Sequence, residues 1–552
     1  MISCVGWRAQ KRVGAFTMKQ IQIYDSTLRD GAQAVGVTFS PAGKIAFAHR
    51  IDEMGIAFLE GGYAGSNPAD MKFFEDIKKE RLSQIKIVAF GSTRRAGIKP
   101  VDDTFTQALL RAETEYCAIY GKCSLLHVHE VLRVDEAENE AMIAETTAFL
   151  RDNGRRVVFD AEHFFDGFKN NPQFALRMLR AAAAAGAETL ALCDTNGGTL
   201  PNEIFEITKR VVEEFPALTI GIHTHNDSGV GVANALEAIR AGALQVQGCM
   251  NGYGERSGNC NLTTIIPNLE LKMGCRCIGE DKLKNLRAFS LAVDDLVNQR
   301  PDIRAPFVGE ASFSHKAGAH VSGVQKNPAS FEHIPPEAVG NERRILLSEL
   351  SGASNVLYRV KQMGENYADI SRDDVKKILE ELKDLEGRGY VFESADASFQ
   401  ILVQKALRRH KPFFKLEAFR VTVEKRGADD DTCFSEATVK VDVNGEKSHT
   451  VGEGSGPVEA LDRALRKALS RFYPEIKSVH LTDFRVRILD SSDATAAVTR
   501  VLIESSDGEK TWGTVGVSPN IIEASWQALV DSVEYKLFAD ETAAAARDAT
   551  SL

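Results

Sequence analysis

The sequence lacks three features that would each have indicated a class of function. No apolar run approaches the roughly 18–20 residues that a membrane-spanning helix needs, so no membrane partner is expected. There is no excess of positive charge, because the formal net charge is −10, which argues against nucleic acid as the main partner. The 9 cysteines include no CxxC pair, so we expect a reduced, cytoplasmic chain.

The N-terminus also lacks the apolar core of a signal peptide. We interpret residues 1–17 as a disordered tail or a mistaken extension ahead of Met18, with a transit peptide as the alternative. A chain of 552 residues is too long for one hydrophobic core, so several domains are expected. The predicted boundaries are a barrel at 18–280, helical linker subdomains at 281–412, an α+β domain at 413–540 and a tail at 541–552.

A regular alternation of strands and helices follows the N-terminal segment. The count of eight strand–helix units in about 250 residues matches a (β/α)8 TIM barrel of the α/β class. A doubly wound open sheet is the alternative, but no GxGxxG follows the first strand. The strands are predicted at residues 21–25, 56–62, 85–91, 116–121, 156–164, 189–195, 218–225 and 244–252.

Polar side chains recur where these predicted strands end, whereas the strand bodies are apolar. The catalytic groups of a barrel lie at the C-terminal ends of its strands, so we expect these side chains to surround one site. They are Asp25, Arg29, Asp30, Glu60, Arg94, Arg95, Asp160, Glu162, His163, Asp194, Thr195, His223, His225, Asp227, Asn251, Glu255 and Asn259.

The pair His223 and His225 predicts a metal site. Residues i and i+2 of a strand point to the same side, so both imidazoles can address one point above the barrel. Two histidines and a carboxylate form a divalent-metal set with open positions, and Asp30 and Asp25 are the candidate carboxylates. Packed or surface histidines would explain an isolated HxH pair, but the other polar strand ends favour the metal.

The open metal positions suit an α-keto acid, whose carboxylate and keto oxygen can chelate together. Arg29 is expected to stabilise negative charge on that oxygen, although a salt bridge to a nearby carboxylate would also explain it. Glu162 can act as a base or hold an acyl group, or else pair with an arginine. Thr195 can donate to a carboxylate or only cap a helix, and Asn259 can reach the metal or only form a turn.

The C-terminal part contains an internal repeat. Residues 439–465 parallel residues 500–529, and the GEK triplets of the two copies begin at Gly445 and Gly508. Each copy predicts a strand, an NG- or DG-type turn, a second strand and a helix. We expect a small α+β domain for binding or assembly, preceded by a helical region at 282–390 and followed by a frayed tail at Ala543–Ala549.

Three motifs resemble those of the family of isopropylmalate, homocitrate and citramalate synthases. They are DSTLRDG at residues 25–31, HTHND at 223–227 and NGYGERSGN at 251–259. The resemblance runs from about residue 20 to residue 537. The stretches Gly61–Ile77, Asp160–Phe168 and Asn341–Gly352 are most similar to the citramalate branch of the family.

The resemblance implies an acyltransferase: a metal-dependent Claisen condensation of acetyl-CoA with pyruvate that gives (R)-citramalate and CoA, leading to isoleucine through 2-oxobutanoate. The implied metal is Mn²⁺, Mg²⁺ or Zn²⁺. By motif position, Asp30, His223 and His225 match metal ligands, and Asn259 matches a residue named with them in some members. Arg29 matches the arginine that activates the keto oxygen, and Thr195 matches the threonine that holds the keto acid. Glu162 matches the carboxylate that deprotonates or positions acetyl-CoA, and His320 matches a histidine of the partner subunit.

The C-terminal repeat matches the family's regulatory, allosteric and dimerisation domain, where an end-product amino acid binds between subunits. The resemblance therefore implies a homodimer whose active site is completed by the partner chain, with isoleucine as the expected inhibitor. A 2-isopropylmalate synthase that takes 2-oxoisovalerate for leucine synthesis is the alternative. An acyl-CoA lyase or aldolase on the same barrel is disfavoured by the C-terminal repeat, and an inactive binding module by the intact Arg29, Asp30, His223 and His225.

Overall fold

The computed structural model describes residues 19–65, 68–345, 353–363, 367, 370–425, 433–489 and 497–550. The chain forms two compact units. The first comprises the residues up to Phe313 together with Glu332–Arg343, and the second comprises Ser314–Phe331 together with the residues from Arg344 onward. The N-terminal segment 1–17 lies outside the described residues, so its interpretation stays a prediction.

The first unit is a closed barrel of eight parallel strands in the order β1 to β8, which confirms the predicted TIM barrel. Closure comes from the pairing of β8 with β1, in which Gln245 lies opposite Gln22 and Gly248 opposite Asp25. The strands are β1 (Gln22–Asp25), β2 (Phe58–Tyr63), β3 (Lys86–Ser92), β4 (Tyr116–Lys122), β5 (Arg156–Glu162), β6 (Thr189–Asp194), β7 (Thr219–Thr224) and β8 (Gln245–Gly248).

Helices surround the barrel and cover its apolar outer face. The first of them has a cap at each end: Ser40 Oγ accepts a hydrogen bond from Gly43 N, and Gly55 ends the helix at a φ of 73°. The helices of this unit are α1 (Pro41–Met54), α2 (Pro68–Ile77), α3 (Thr104–Arg111), α4 (Glu136–Asp152), α5 (Phe164–Asn170), α6 (Pro172–Ala185), α7 (Pro201–Glu214), α8 (Gly231–Ala241), α9 (Leu262–Pro267), α10 (Glu280–Leu283) and α11 (Leu286–Leu296).

Helix α5 was not expected from the sequence, which predicted that the fifth strand would continue to Phe164. The strand ends at Glu162, and His163 then adopts a left-handed conformation with a φ of 57° before the helix begins. Phe164 and Phe165 are fully buried in the core around the barrel. A short apolar run of this kind does not distinguish a strand from a buried helix by its periodicity.

The interior of the barrel contains polar side chains where aliphatic residues would be usual. Tyr24, Glu60, Gln245 and Gln247 are all fully buried there. The amide of Gln245 donates to Gln22 Oε1 at 3.2 Å, and the Tyr24 hydroxyl donates to Glu60 Oε2 at 2.7 Å. Buried polar groups require such partners, so the strands that carry them are held in a defined arrangement below the C-terminal end of the barrel.

The second unit contains the predicted repeat, and each half has one more strand than expected. Each half is a three-stranded antiparallel sheet followed by a helix. The predicted Asn444–Gly445 turn has positive φ at both residues (52° and 90°), as a two-residue hairpin requires. The elements of the unit are β9 (Ser314–His315), α12 (Gly318–Lys326), β10 (Arg344–Ile345), α13 (Ala353–Gln362), α14 (Arg372–Gly387), α15 (Asp396–Ala406), β11 (Lys415–Lys425), β12 (Cys433–Val443), β13 (Glu446–Gly454), α16 (Pro457–Leu469), β14 (His480–Ile488), β15 (Thr499–Ser506), β16 (Thr511–Ser518) and α17 (Ile521–Thr550).

The prediction of a frayed tail at Ala543–Ala549 is wrong, because α17 continues to Thr550. The segment is rich in alanine, which has the highest intrinsic helix propensity.

Among the described residues, no helix is both long and apolar enough to cross a membrane. The 8 cysteines in that part of the chain are all unpaired.

We predict that Asp52→Ala destabilises the first unit by roughly 1–3 kcal/mol, because it removes the acceptor for three backbone N–H groups, of which that of Ile85 is buried. The buried Asp52 carboxylate on α1 accepts from the backbone N of Ser83 (2.6 Å), Gln84 (2.9 Å) and Ile85 (3.0 Å). The neighbouring Glu53 is exposed and gives the control variant Glu53→Ala. Urea unfolding measures both, and equal free energies of unfolding for the two variants would contradict the prediction.

Candidate active site

The closed barrel brings Asp30, which follows β1, next to the two histidines at the end of β7. His223 Nε2 lies 3.2 Å from Asp30 Oδ2, and His225 Nε2 lies 3.9 Å from the same oxygen. All three side chains are buried, and one ligand atom of each lies within 4.8 Å of the others. Two ligands at about 2.1 Å from one ion are up to roughly 4 Å apart, so modest side-chain adjustment lets this group hold a single ion.

The electrostatics of Asp30 and His225 favour the protonation states that metal binding requires. For His223, burial by itself would lower the pKa, but the hydrogen bond to Asp30 raises it above its ordinary value. Burial by itself would raise the pKa of Asp30, but Arg29 and the two histidines hold it well below its ordinary value. Burial lowers the pKa of His225 to about 4, with a further contribution from His223. At neutral pH the site therefore offers an ionised carboxylate and a neutral imidazole.

A buried polar atom without a partner also fits a divalent ion. Within the described residues, Asn259 Oδ1 is buried and has no hydrogen-bond partner. The Asn259 amide nitrogen donates to Tyr253 O at 3.1 Å, and the backbones of Asn259 and His225 form a bridge. An amide oxygen beside a histidine pair is chemically suited to a hard divalent cation or to its water.

Asp25, the other candidate carboxylate, does not join this group. Its Oδ1 accepts from Thr27 N at 2.9 Å and its Oδ2 accepts from Thr27 Oγ1 at 2.9 Å. Burial raises the pKa of Asp25 to about 7. The carboxylate therefore holds the turn after β1, and Asp30 is the one that faces the histidines.

Arg29 lies beside the group of Asp30, His223 and His225 and above an aromatic ring. Its guanidinium Nε donates to the buried carboxylate of Glu60, and its Nη1 lies 3.5 Å from Asp30 Oδ2. Its Cζ is 3.7 Å from the centroid of the Phe90 ring. The salt bridge that the sequence left as an alternative therefore exists, and it holds the guanidinium at the edge of the cavity.

A cavity of about 840 Å³ opens at the C-terminal end of the barrel and brings about half of the predicted strand-end residues together. Glu162, one of its lining residues, forms an ion pair with Lys122 rather than with the arginine that the sequence suggested. Thr195 Oγ1 accepts a hydrogen bond from His163 N at 2.8 Å. The lining includes Leu28, Arg29, Asp30, Val37, Phe39, Lys44, Tyr63, Asp70, Phe90, Tyr120, Asp160, Glu162, Cys193, Thr195, His223, His225, Glu255 and Arg256.

Several other polar strand ends do not line this cavity. Arg94 pairs with Glu138 and Glu145, while Arg95 pairs with Asp103 at the start of α3. Asn251 donates to Asp294 on α11. The expectation that all these side chains surround one site is therefore wrong for the third strand and for Asn251, which instead hold the surrounding loops and helices in place. Six more of the predicted residues are also absent from the cavity lining: Asp25, Glu60, His163, Asp194, Asp227 and Asn259.

His320 belongs to the second unit, where α12 carries it. Its side chain is exposed, and its ring stacks on Phe331 with centroids 4.2 Å apart. The predicted role of His320 in a partner's active site stays a prediction.

Two kinds of site residue were missed from the sequence. Phe90 and Tyr120 stack with centroids 5.5 Å apart and form one wall of the cavity. Gln247, inside the barrel, lies between His223 and Asp160. The alternation of Gln245 and Gln247 with apolar neighbours in LQVQG was a usable signal, because it places both amides on one face of the eighth strand.

Comparison with known proteins gives matches along most of the chain. The HMGL-like family model matches residues 20–290, the homocitrate synthase post-HMGL domain-like model matches 307–389, and the LeuA allosteric (dimerisation) domain model matches 393–537.

Curated relatives match over nearly their full length. The (R)-citramalate synthase of Geobacter sulfurreducens is 51% identical over 95% of this chain and 99% of its own. The (R)-citramalate synthase of Synechocystis is 51% identical over 93% of this chain and 96% of its own. Among solved structures, the HMG-CoA lyase from Brucella melitensis covers 51% of this chain and 100% of its own, at 18% identity and a TM-score of 0.44.

Proposed function

The chain belongs to the family of (R)-citramalate synthases, and we propose from that premise that it condenses acetyl-CoA with pyruvate to give (R)-citramalate and free CoA. It is an enzyme of the acyltransferase type, in which the transferred acyl group becomes an alkyl group. The observation that carries the proposal is the group of Asp30, His223 and His225 beside Arg29 in one cavity.

We propose that Asp30, His223 and His225 hold a divalent ion, with Asn259 close to it. Such an ion supplies Lewis-acid polarisation of the keto carbonyl when it is bound. Arg29 then stabilises the negative charge that develops on the keto oxygen, because its guanidinium is held at the cavity edge by Glu60 and Phe90. Mn²⁺ and Mg²⁺ are the first ions to test, and Zn²⁺ is the alternative.

Thr195 is the proposed donor to the carboxylate of the keto acid. A hydroxyl has one proton to donate and two lone pairs that accept. Because its oxygen already accepts from His163 N, the hydroxyl proton of Thr195 remains available to an anionic group in the cavity. This arrangement would orient pyruvate with its carboxylate toward β6 and its keto group toward Arg29.

Glu162 is the proposed base that removes a proton from the methyl group of acetyl-CoA. A thioester methyl is a weak carbon acid, so the base must be held close to it and the enolate must be stabilised. The ion pair with Lys122 fixes the Glu162 carboxylate at the end of β5, where it lines the cavity. A cavity of about 840 Å³ has room for pyruvate together with the thioester end of acetyl-CoA.

Aromatic side chains beside Arg29 support a small keto acid. The rings of Tyr63 and Tyr120 flank Phe90, with centroids 5.7 Å and 5.5 Å from it, and all three line the cavity. Large rigid rings leave less space for a branched acceptor chain than aliphatic side chains would. The arrangement therefore favours pyruvate over the 2-oxoisovalerate that a 2-isopropylmalate synthase takes.

The assembly of the enzyme and its metabolic role are also proposed from its family. The match to an allosteric dimerisation domain supports a homodimer. We propose that His320 of one subunit completes the active site of the other, and that the enzyme serves isoleucine synthesis in the cytoplasm, consistent with its unpaired cysteines. The domain boundaries at 18–280, 281–412 and 413–540 are also part of the proposal.

We predict that free thiol is released from acetyl-CoA fastest with pyruvate, when pyruvate, 2-oxobutanoate, 2-oxoisovalerate and 2-oxoglutarate are compared with added Mn²⁺ or Mg²⁺. His225→Ala should lower this rate by about 100-fold or more, because Lewis-acid stabilisation is worth several kcal/mol. His49→Ala is the matched control, since His49 is partly exposed and pairs with Glu80. Preference for 2-oxoisovalerate would indicate leucine synthesis instead, and no release with any acceptor would contradict the condensation.

We also predict that isoleucine slows thiol release and that leucine at the same concentration does not. The expected effect follows from the proposed regulatory role of the repeat domain. A rate that is independent of isoleucine, in an enzyme that otherwise prefers pyruvate, would contradict the inhibitor without contradicting the reaction.

A further inference from the structure

We propose that Gln247 is a positioning residue that fixes the tautomer of His223 and so prepares its Nε2 lone pair for the metal. The inference rests on the proposed metal site and goes beyond it, because Gln247 bonds to His223 and Asp160 and is not one of the proposed ligands. It depends on a chain of buried hydrogen bonds that runs from Asp160 through Gln247 to His223.

The three residues are brought together by the register of the barrel. His223 on β7 lies directly opposite Gln247 on β8, so the two side chains point into the barrel at the same level. Gln247 is fully buried, and its Oε1 is 2.9 Å from His223 Nδ1. Its Nε2 is 3.0 Å from Asp160 Oδ1 on β5.

The direction of these hydrogen bonds follows from which atoms can donate and which can only accept. An ionised carboxylate can only accept, so Asp160 requires the NH₂ end of the Gln247 amide. The oxygen end then faces His223 and can only accept, so the proton of a neutral His223 must be on Nδ1. Gln245 Oε1 lies 3.5 Å from the Gln247 NH₂ group, at the outer limit of a hydrogen bond, so Asp160 at 3.0 Å is the partner that decides the orientation.

The opposite orientation of the Gln247 amide would prevent His223 from binding a metal through Nε2. A reversed amide would place its oxygen against the Asp160 carboxylate, and its NH₂ group would require a lone pair on His223 Nδ1. The proton would then lie on Nε2, the nitrogen that is 3.2 Å from Asp30 Oδ2. A protonated Nε2 cannot bind a metal. The Asp160 carboxylate on β5 therefore determines, through the Gln247 amide, which ring nitrogen of His223 on β7 carries the proton.

Metal affinity of the full-length protein after chelator treatment tests the proposal without relying on turnover. Mn²⁺ is titrated against a fluorescent chelator with wild type, Gln247→Leu and the matched control Gln245→Leu. Gln245 is equally buried on the same strand and bonds to Gln22 but not to a histidine. We expect Gln247→Leu to weaken Mn²⁺ binding by about 10–100-fold and Gln245→Leu to leave it unchanged.

A double variant keeps the test informative if a leucine destabilises the barrel. Asp160→Asn combined with Gln247→Glu exchanges the carboxylate and the amide, so the new carboxylate accepts from both neighbours and His223 keeps its proton on Nδ1. We expect this double variant to bind Mn²⁺ at least as tightly as wild type.

The outcomes separate this proposal from the one it rests on. Equal affinities for wild type and Gln247→Leu, equal losses in both leucine variants, or weak binding by a folded double variant would each overturn the positioning role alone. A wild type that binds no Mn²⁺ would overturn the metal site itself and this inference with it.

Discussion

Closure of the barrel is the constraint on which the candidate site depends. Asp30 and His223 are separated by most of the first unit in sequence, yet their side chains meet at 3.2 Å because β8 pairs with β1 on one side and with β7 on the other. An open sheet with β1 and β8 at opposite edges would separate the carboxylate from the histidines. The grouping of Asp30 with the two histidines is therefore a consequence of topology as much as of residue identity.

The polar interior of the barrel extends this constraint below the cavity. Glu60 holds Arg29 and accepts from Tyr24, while Asp160 and Gln247 connect to His223. All of these groups except the partly exposed Arg29 are buried, so leaving any one of them without a partner would cost free energy in the folded state. The same hydrogen bonds that satisfy the barrel interior thus hold the reactive side chains in fixed orientations.

The sequence predicted the barrel well because eight apolar strands, regular spacing and helix caps such as Ser40 and Gly55 are local signals. It also predicted that His223 and His225 would lie together beside a carboxylate such as Asp30, since the two histidines of an HxH pair on a strand point to the same side. It could not distinguish Asp30 from Asp25, or separate Glu162, which lines the cavity, from Arg94, which does not. Those differences depend on which neighbours the folded loops supply, such as Thr27 for Asp25 and Glu138 for Arg94.

The central claim is that the two histidines and Asp30 hold one ion to which the keto acid binds. Pulsed electron paramagnetic resonance of the Mn²⁺-loaded protein, with ¹³C-labelled pyruvate added, measures this directly. The account predicts nitrogen couplings from two imidazoles and a ¹³C coupling that appears with pyruvate. A bound Mn²⁺ that shows only water couplings, with and without pyruvate, would contradict it.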